Sequence, residues 1–443
     1  MPLDIAPFQA RRARLLQTLQ AAGGGVAIIP TAPERIRNRD THYGYRFDSY
    51  FYYLTGFREP DAVLVLVAGD TPRSILFCRT KDLEREIWDG YRFGPEAARE
   101  AFGFDEARPI AELDEQLALL FANQPAIFHS VGYEPAWDAR VTEALNQVRA
   151  QARTGCHAPS QIRDVRSLID EMRLIKDAAE IATMRRAAEI SAGAHRRAMR
   201  AARPDAWEYE VEAELIHEFR RHGSQAPAYG SIVASGANAC VLHYVENDCR
   251  MQDGDLLLID AGCELDGYAS DITRSFPVNG RFSGPQKAAY ELVLAAQAAA
   301  IAEIRPGADW NAGHDAATRV LAQGFIDLGL LTGSLDGVIE SGSYRQFYMH
   351  RTGHWLGLDV HDAGSYQTGG QWRLLAPGNV LTVEPGAYIR PAEGVPEAFW
   401  NIGVRIEDNV LVTPEGNDII TIATPKTIAE IEALMREAPH AKA

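Results

Sequence analysis

The 443-residue chain lacks any apolar run of about 18 residues, so no segment reads as a membrane-spanning helix. Its N-terminal stretch MPLDIAPFQARRARLLQTLQ carries charges where a secretory signal needs an apolar core. Cysteine is scarce: Cys78, Cys156, Cys240, Cys249 and Cys263 are scattered, and none forms a C-x-x-C pair. That excludes a disulfide scaffold or a zinc ribbon and leads us to expect a reduced, cytoplasmic compartment. Positive charge is also short. Lys plus Arg number 44 against 60 Asp plus Glu, a net −16, which argues against a nucleic-acid surface. There is no phosphate loop either. Gly23-Gly24-Gly25 follows a helical segment and precedes a strand, the reverse of the strand, glycine loop, helix order that cradles phosphate.

What is present is ordinary globular composition, 46% hydrophobic and 23% charged. One core rarely exceeds about 250–300 residues, so at least two domains are expected. Near the N-terminus, a helical pattern over 9–21 precedes strand signals at Val26–Ile29, AVLVLVAG (62–69) and SILFC (74–78). This is an α/β unit. A charged, helix-rich stretch from Asp164 to Arg203 marks the transition, and we place the boundary near residue 172. The expected division is an accessory domain at 1–172 and a second domain at 173–443.

The second part holds a repeat. GDLLLIDAG (254–262) and GNVLTVEPG (378–386) share a glycine, an apolar strand, a carboxylate six residues after the glycine, and then x-Gly. Asp260 and Glu384 stand 124 residues apart, as do Gly254 and Gly378. Each copy is followed by a second acid-bearing segment, YASDITRSF (268–276) and IGVRIEDNVLV (402–412). This points to a duplicated half.

Burying an unpaired carboxylate costs several kcal/mol or more. Asp260, Asp271, Glu384 and Glu407 all sit in apolar strand contexts, so they require a shared counter-charge. Arginine is one solution and a pair of divalent cations is another. His354 is a fifth candidate, in the glycine-rich segment FYMHRTGHWLGLDVHDAG, which also carries His350 and His361. An oxygen-rich set with one imidazole suits Mn²⁺, Mg²⁺ or Co²⁺ better than structural zinc. A decoy lies at His217-Glu218 to His222. Its histidine spacing of five puts the two rings on different faces of a helix, unlike a zinc-protease motif.

Asp260, Asp271, His354, Glu384 and Glu407, with HWLGLDVHD (354–362), VLTVEPGAYI (380–389) and VRIEDNVLVT (404–413), resemble the pita-bread metallopeptidases. That family includes methionine aminopeptidase, prolidase and aminopeptidase P. The segments FDSYFYYLTGFREPDAVLVL (47–66) and RPAEGVPEAFWNIGVRIEDN (390–409) extend the resemblance to its aminopeptidase P members. The resemblance implies an N-terminal α/β accessory domain and a pseudo-twofold pita-bread catalytic domain. It implies an exopeptidase that releases the first residue from peptides with proline second, using a hydroxide bridging two metal ions. The metals expected are two Mn²⁺, with Co²⁺ or Zn²⁺ as alternatives. Asp260 would chelate one ion, Asp271 and Glu407 would bridge, and His354 and Glu384 would hold the other.

The resemblance further places His361 near the scissile carbonyl and His243 on the substrate side. His350 and Tyr388 would line the pocket, and Arg405 would neutralise and orient the acids. Glu384 would carry the proton. Family members form dimers or tetramers, and Trp88 would line an entrance shared between subunits. No nucleic-acid or membrane partner is expected. Prolidase shares the metal site and needs an arginine, such as Arg373 or Arg405, to hold a dipeptide's carboxylate. A catalytically inactive binding protein on the same fold would have lost ligands, and none is missing here.

Overall fold

The computed structural model describes residues 4–437. The chain divides into two compact units, one ending at Arg173 and the other beginning at Leu174.

The first unit is built on a six-stranded mixed sheet. Its order is Glu106–Pro109, Arg73–Cys78, Val63–Ala68, Gly25–Pro30, Ala126–Phe128, Gln161–Arg163. Val63–Ala68 is buried along its whole length, which explains why it reads as a continuous apolar run. Helices Leu113–Phe121 and Pro135–Ala150 cover the sheet and share its core.

The second unit repeats one plan twice. Helices Ala178–Ala201 and Glu208–Arg221 precede an antiparallel sheet of Ile232–Ser235, Leu256–Asp260 and Thr273–Pro277. Helices Gly284–Glu303 and Ala312–Asp327 precede the antiparallel set Val380–Val383, Asp408–Thr413 and Gly416–Ile419. A hairpin pair, Gly386–Ile389 with Ile402–Arg405, completes the second half. This is the duplicated half the repeat led us to expect, in the pseudo-twofold pita-bread arrangement the family resemblance implies. The two repeat glycines share a job: Gly254 and Gly378 turn the chain into their strands at φ +91° and +92°, where a side chain would be strained.

Capping boxes start the main helix of each half. Asp177 with Glu180 begins Ala178–Ala201, and Ser283 with Gln286 begins Gly284–Glu303. Each cap is worth about 1 kcal/mol. Asp177 also explains why the helix-rich stretch is two helices, Arg166–Arg173 and Ala178–Ala201. The decoy histidines are at the end of an outer helix: His217 is exposed, and His222 lies 2.9 Å from its own Glu218.

Candidate metal centre

Strand pairing brings the acids together. Asp260 ends its strand opposite Thr273, and Val383, just before Glu384, lies opposite Asp408, just after Glu407. The side chains of Asp271, His354 and Glu407 each offer a ligand atom within 4.8 Å of the others. His354 Nε2 is 3.5 Å from Asp271 and 3.6 Å from Glu384. The Tyr229 hydroxyl joins Asp260, at 2.7 Å, to Asp271. All five candidate ligands therefore converge on one buried cluster, although the longest interval between them in sequence is 83 residues, from Asp271 to His354.

The cluster has more negative charge than its own cations can match. Burial, then repulsion from neighbouring acids, pushes the carboxyls of Asp271 and Glu407 upward, the latter well above the usual range. Burial raises Glu384 to about 7. Burial opposes charge on His354 too, but Asp271 and Glu384 outweigh it and hold the imidazole up at about 9. With all four carboxyls ionised, four negative charges would face two cations, Arg405 and protonated His354, a deficit of two positive charges.

That deficit, and the donor chemistry, fit divalent metal. Hard carboxylate oxygens and one imidazole are the ligands such ions take. His354 Nδ1 lies 2.9 Å from the carbonyl of Trp355 and donates to it, which leaves Nε2 bare in the neutral ring and aimed at the acids. A metal-binding histidine is typically fixed in this way through its other nitrogen. The Tyr229 hydroxyl has one proton and cannot donate to both aspartates at once, so it can satisfy only one of them as donor.

Hydrogen bonds orient the acids from behind. Arg405 donates to Asp260 at 2.6 Å, to the Tyr388 hydroxyl at 3.0 Å and to Thr273 Oγ1 at 3.2 Å. Thr273 in turn donates to Glu407 at 2.6 Å, and Thr382 to Glu384 at 3.3 Å. Asn409 receives the Asp271 backbone N–H at 3.0 Å. His350 Nε2 lies 2.8 Å from the Tyr388 hydroxyl. Burial and the charge of Arg405 lower His350 to about 4, so it is neutral at ordinary pH.

A cleft of about 1030 Å³ opens over the cluster. His243, His350, His361 and Arg405 all border it, with the apolar Leu242 and Val360 beside them. The His361 ring packs 4.1 Å from that of His354, centroid to centroid. Tyr388 does not border the cleft. It is buried behind His350, and its hydroxyl bridges His350 and Arg405. Sequence reasoning missed Tyr229, Thr273, Thr382 and the cleft residues Trp310, Arg351 and Tyr366. Tyr229 sits in the loop APAYGS with no periodic signal, and only folding reveals its reach across to two strands.

Two sequence families match. Residues 182–414 match Metallopeptidase family M24, and residues 8–128 match Aminopeptidase P, N-terminal domain. The chain is 46% identical to the Xaa-Pro aminopeptidase of Escherichia coli (strain K12) over 430 residues, 97% of each chain. Its structure is similar to that of the Pseudomonas aeruginosa aminopeptidase PepP, with TM-score 0.97 and 50% identity over 99% of both chains. It is similar also to zinc-substituted Escherichia coli aminopeptidase P in complex with product, with TM-score 0.96 and 45% identity over 99% of this chain and 100% of that one. The chain belongs to Metallopeptidase family M24.

Proposed function

We propose that this protein is a metal-dependent Xaa-Pro aminopeptidase, releasing the first residue of peptides whose second residue is proline. The observation that carries the reading is the buried four-carboxylate, one-histidine cluster opening on a peptide-sized cleft. The near full-length similarity to Xaa-Pro aminopeptidases sets the substrate class.

Asp260, Asp271, His354, Glu384 and Glu407 would hold two divalent ions. Mn²⁺ is the first choice on donor chemistry, with Co²⁺ and Zn²⁺ as alternatives. Such ions, when bound, acidify a water and polarise the scissile carbonyl. The rest is done by side chains. Glu384 would take a proton from the attacking water and pass it to the proline nitrogen as the bond breaks. His361 borders the cleft and would supply a polar contact to the developing oxyanion. Burial and the neighbouring His354 lower its pKa, which keeps the ring neutral. His243 and His350 help shape the pocket around the rigid proline ring, and Tyr388 steadies His350 from behind. Arg405 holds Asp260 in place, on the side where the substrate's free amino group would bind.

Arg405 also weighs against a dipeptidase. Its side chain is 4% exposed and spent on Asp260, Thr273 and Tyr388, leaving no fork for a substrate carboxylate. Arg373 Nε is committed to the carbonyl of Ser365. Rates on Xaa-Pro-Yaa and Xaa-Pro test this: the tripeptides should be cleaved faster, and strong preference for the dipeptide would overturn the reading.

We place the accessory domain at 1–172 and the catalytic domain at 173–443. A homodimer or homotetramer is supported by the helix Leu83–Asp89, which buries none of its residues and exposes Ile87 and Trp88 at 81% each. Among the described residues no helix is long and apolar enough to cross a membrane. The five cysteines are free, in keeping with a cytoplasmic site of action.

A further inference from the structure

Two buried polar side chains lie on helices that carry none of the five candidate ligands. Gln297 is the lone polar residue of the apolar run LVLAAQAAAIA (292–302), and it is fully buried. Its Nε2 lies 3.2 Å from the carbonyl of Val383, 3.2 Å from that of Ile406 and 3.1 Å from Asp408 Oδ2. Its Oε1 lies 3.2 Å from Lys426 Nζ. The amide orientation follows from chemistry. An ammonium only donates, so the oxygen must face Lys426 and the NH₂ must face the three acceptors. Val383 immediately precedes Glu384, and Ile406 immediately precedes Glu407.

His195 does the same work in the other half. It is fully buried on the helix Ala178–Ala201, and Nε2 lies 2.9 Å from the carbonyl of Ala261. A carbonyl only accepts, so the ring is held with its proton on Nε2. Ala261 immediately follows Asp260, and its own N–H donates at 3.0 Å to the carbonyl of Ile272, which follows Asp271. The imidazole thus fixes the Ala261 peptide beside Asp260, and that peptide in turn bonds to the segment that carries Asp271.

Burying an amide and an imidazole among alanines is costly unless they bond to specific partners. In each half the partner is backbone next to a carboxylate. We propose that Gln297 and His195 are positioning residues for the metal centre, each fixing from a helix without ligands the backbone that aims one pair of carboxylates. This rests on the metal-centre reading above. Neither residue touches a ligand side chain or the cleft, so the effect acts through backbone placement alone.

The test is a titration of the metal-free, full-length protein with Co²⁺ alone, read by calorimetry and by the visible d–d spectrum. No Co²⁺ binding by the wild type would sink the metal-centre reading itself. Given wild-type binding, Q297E keeps the side-chain volume but turns an acceptor toward two carbonyls. It should weaken Co²⁺ binding about tenfold or more and alter the spectrum, the size of loss seen when groups supporting metal ligands are removed. With Mn²⁺ it should lower kcat on Xaa-Pro-Yaa with little change in KM. H195Q can still reach the Ala261 carbonyl, whereas H195N is too short. H195Q should stay within about threefold of wild type while H195N falls about tenfold. Folded Q297E and H195N that bind Co²⁺ with wild-type affinity and spectrum would overturn the proposal. If Q297E does not fold, the H195Q and H195N pair decides: equal behaviour in the titration overturns it, and rescue by glutamine alone supports it.

Discussion

In the first half of the catalytic unit, Asp260 and Asp271 rest mainly on uncharged groups at their backbone. His195 holds Ala261, and Ser191 Oγ bonds to Ser270 Oγ at 2.6 Å, one residue before Asp271. In the second half, the strands bearing Glu384 and Glu407 rest on buried ions. Arg274 and Asp408 are wholly buried and 2.8 Å apart, and Lys426 adds a second cation 2.7 Å from Asp408. Arg274 also donates to the Glu407 carbonyl at 2.5 Å. The same strand plan is thus stabilised in two ways. A neutral anchor loses one hydrogen bond when broken, while an ionic one strands a charge.

The largest expected effect follows from that contrast. Arg274→Met leaves Asp408 with Lys426 as its one cation and should cost about 3–5 kcal/mol in denaturant unfolding. A loss under 1 kcal/mol would show that the two halves are anchored with similar strength.

The next effect is a pH dependence. Burial lowers His195 from 6.5 to about 4 in the folded state. The unfolded chain then binds the proton first, so stability is intact above about pH 6.5 and is lost as pH falls toward 4. The loss attributable to this group is about 3 kcal/mol. Unfolding curves of wild type and His195→Gln should converge across this window, because the variant lacks the titration. Parallel curves would contradict the assignment.

Asp260→Asn removes the charge of a candidate ligand while leaving the core intact. Activity should fall about 100-fold or more with melting temperature little changed. Full activity at saturating Mn²⁺ would contradict the ligand role. The smallest effect is expected at Ser191→Ala, which breaks a neutral anchor of the first half and should cost about 1 kcal/mol, measured by the same unfolding assay.

The five candidate ligands were legible because each stands at the edge of an apolar strand or in a glycine-rich loop, in two matching copies. The supports were not. Tyr229, Thr273 and Thr382 are single polar residues without period, and the partners of Tyr229 and Thr273 are distant in sequence. Two other acids show the limit of reading charge from sequence. Asp408 adjoins Glu407, yet strand alternation turns it to the opposite face, toward Arg274 and Lys426. Glu208 is fully buried, and among the described residues no cation pairs with it. It accepts from Ser235 twice at 2.7 Å, Asn238 at 3.2 Å, Tyr244 at 2.7 Å and Cys249 at 2.9 Å. Five donors replace a counter-ion there, so a buried acid alone does not mark a metal site. Clustering of several acids, which depends on the fold, does.

The most direct measurement is hydrolysis by the Mn²⁺-loaded protein of a peptide panel with proline or alanine in the second position, alongside Xaa-Pro dipeptides. Release of the first residue from Xaa-Pro-Yaa, abolished by a chelator and restored by Mn²⁺, is the predicted result. Equal cleavage of the alanine series, exclusive cleavage of the dipeptides, or activity untouched by the chelator would contradict the account.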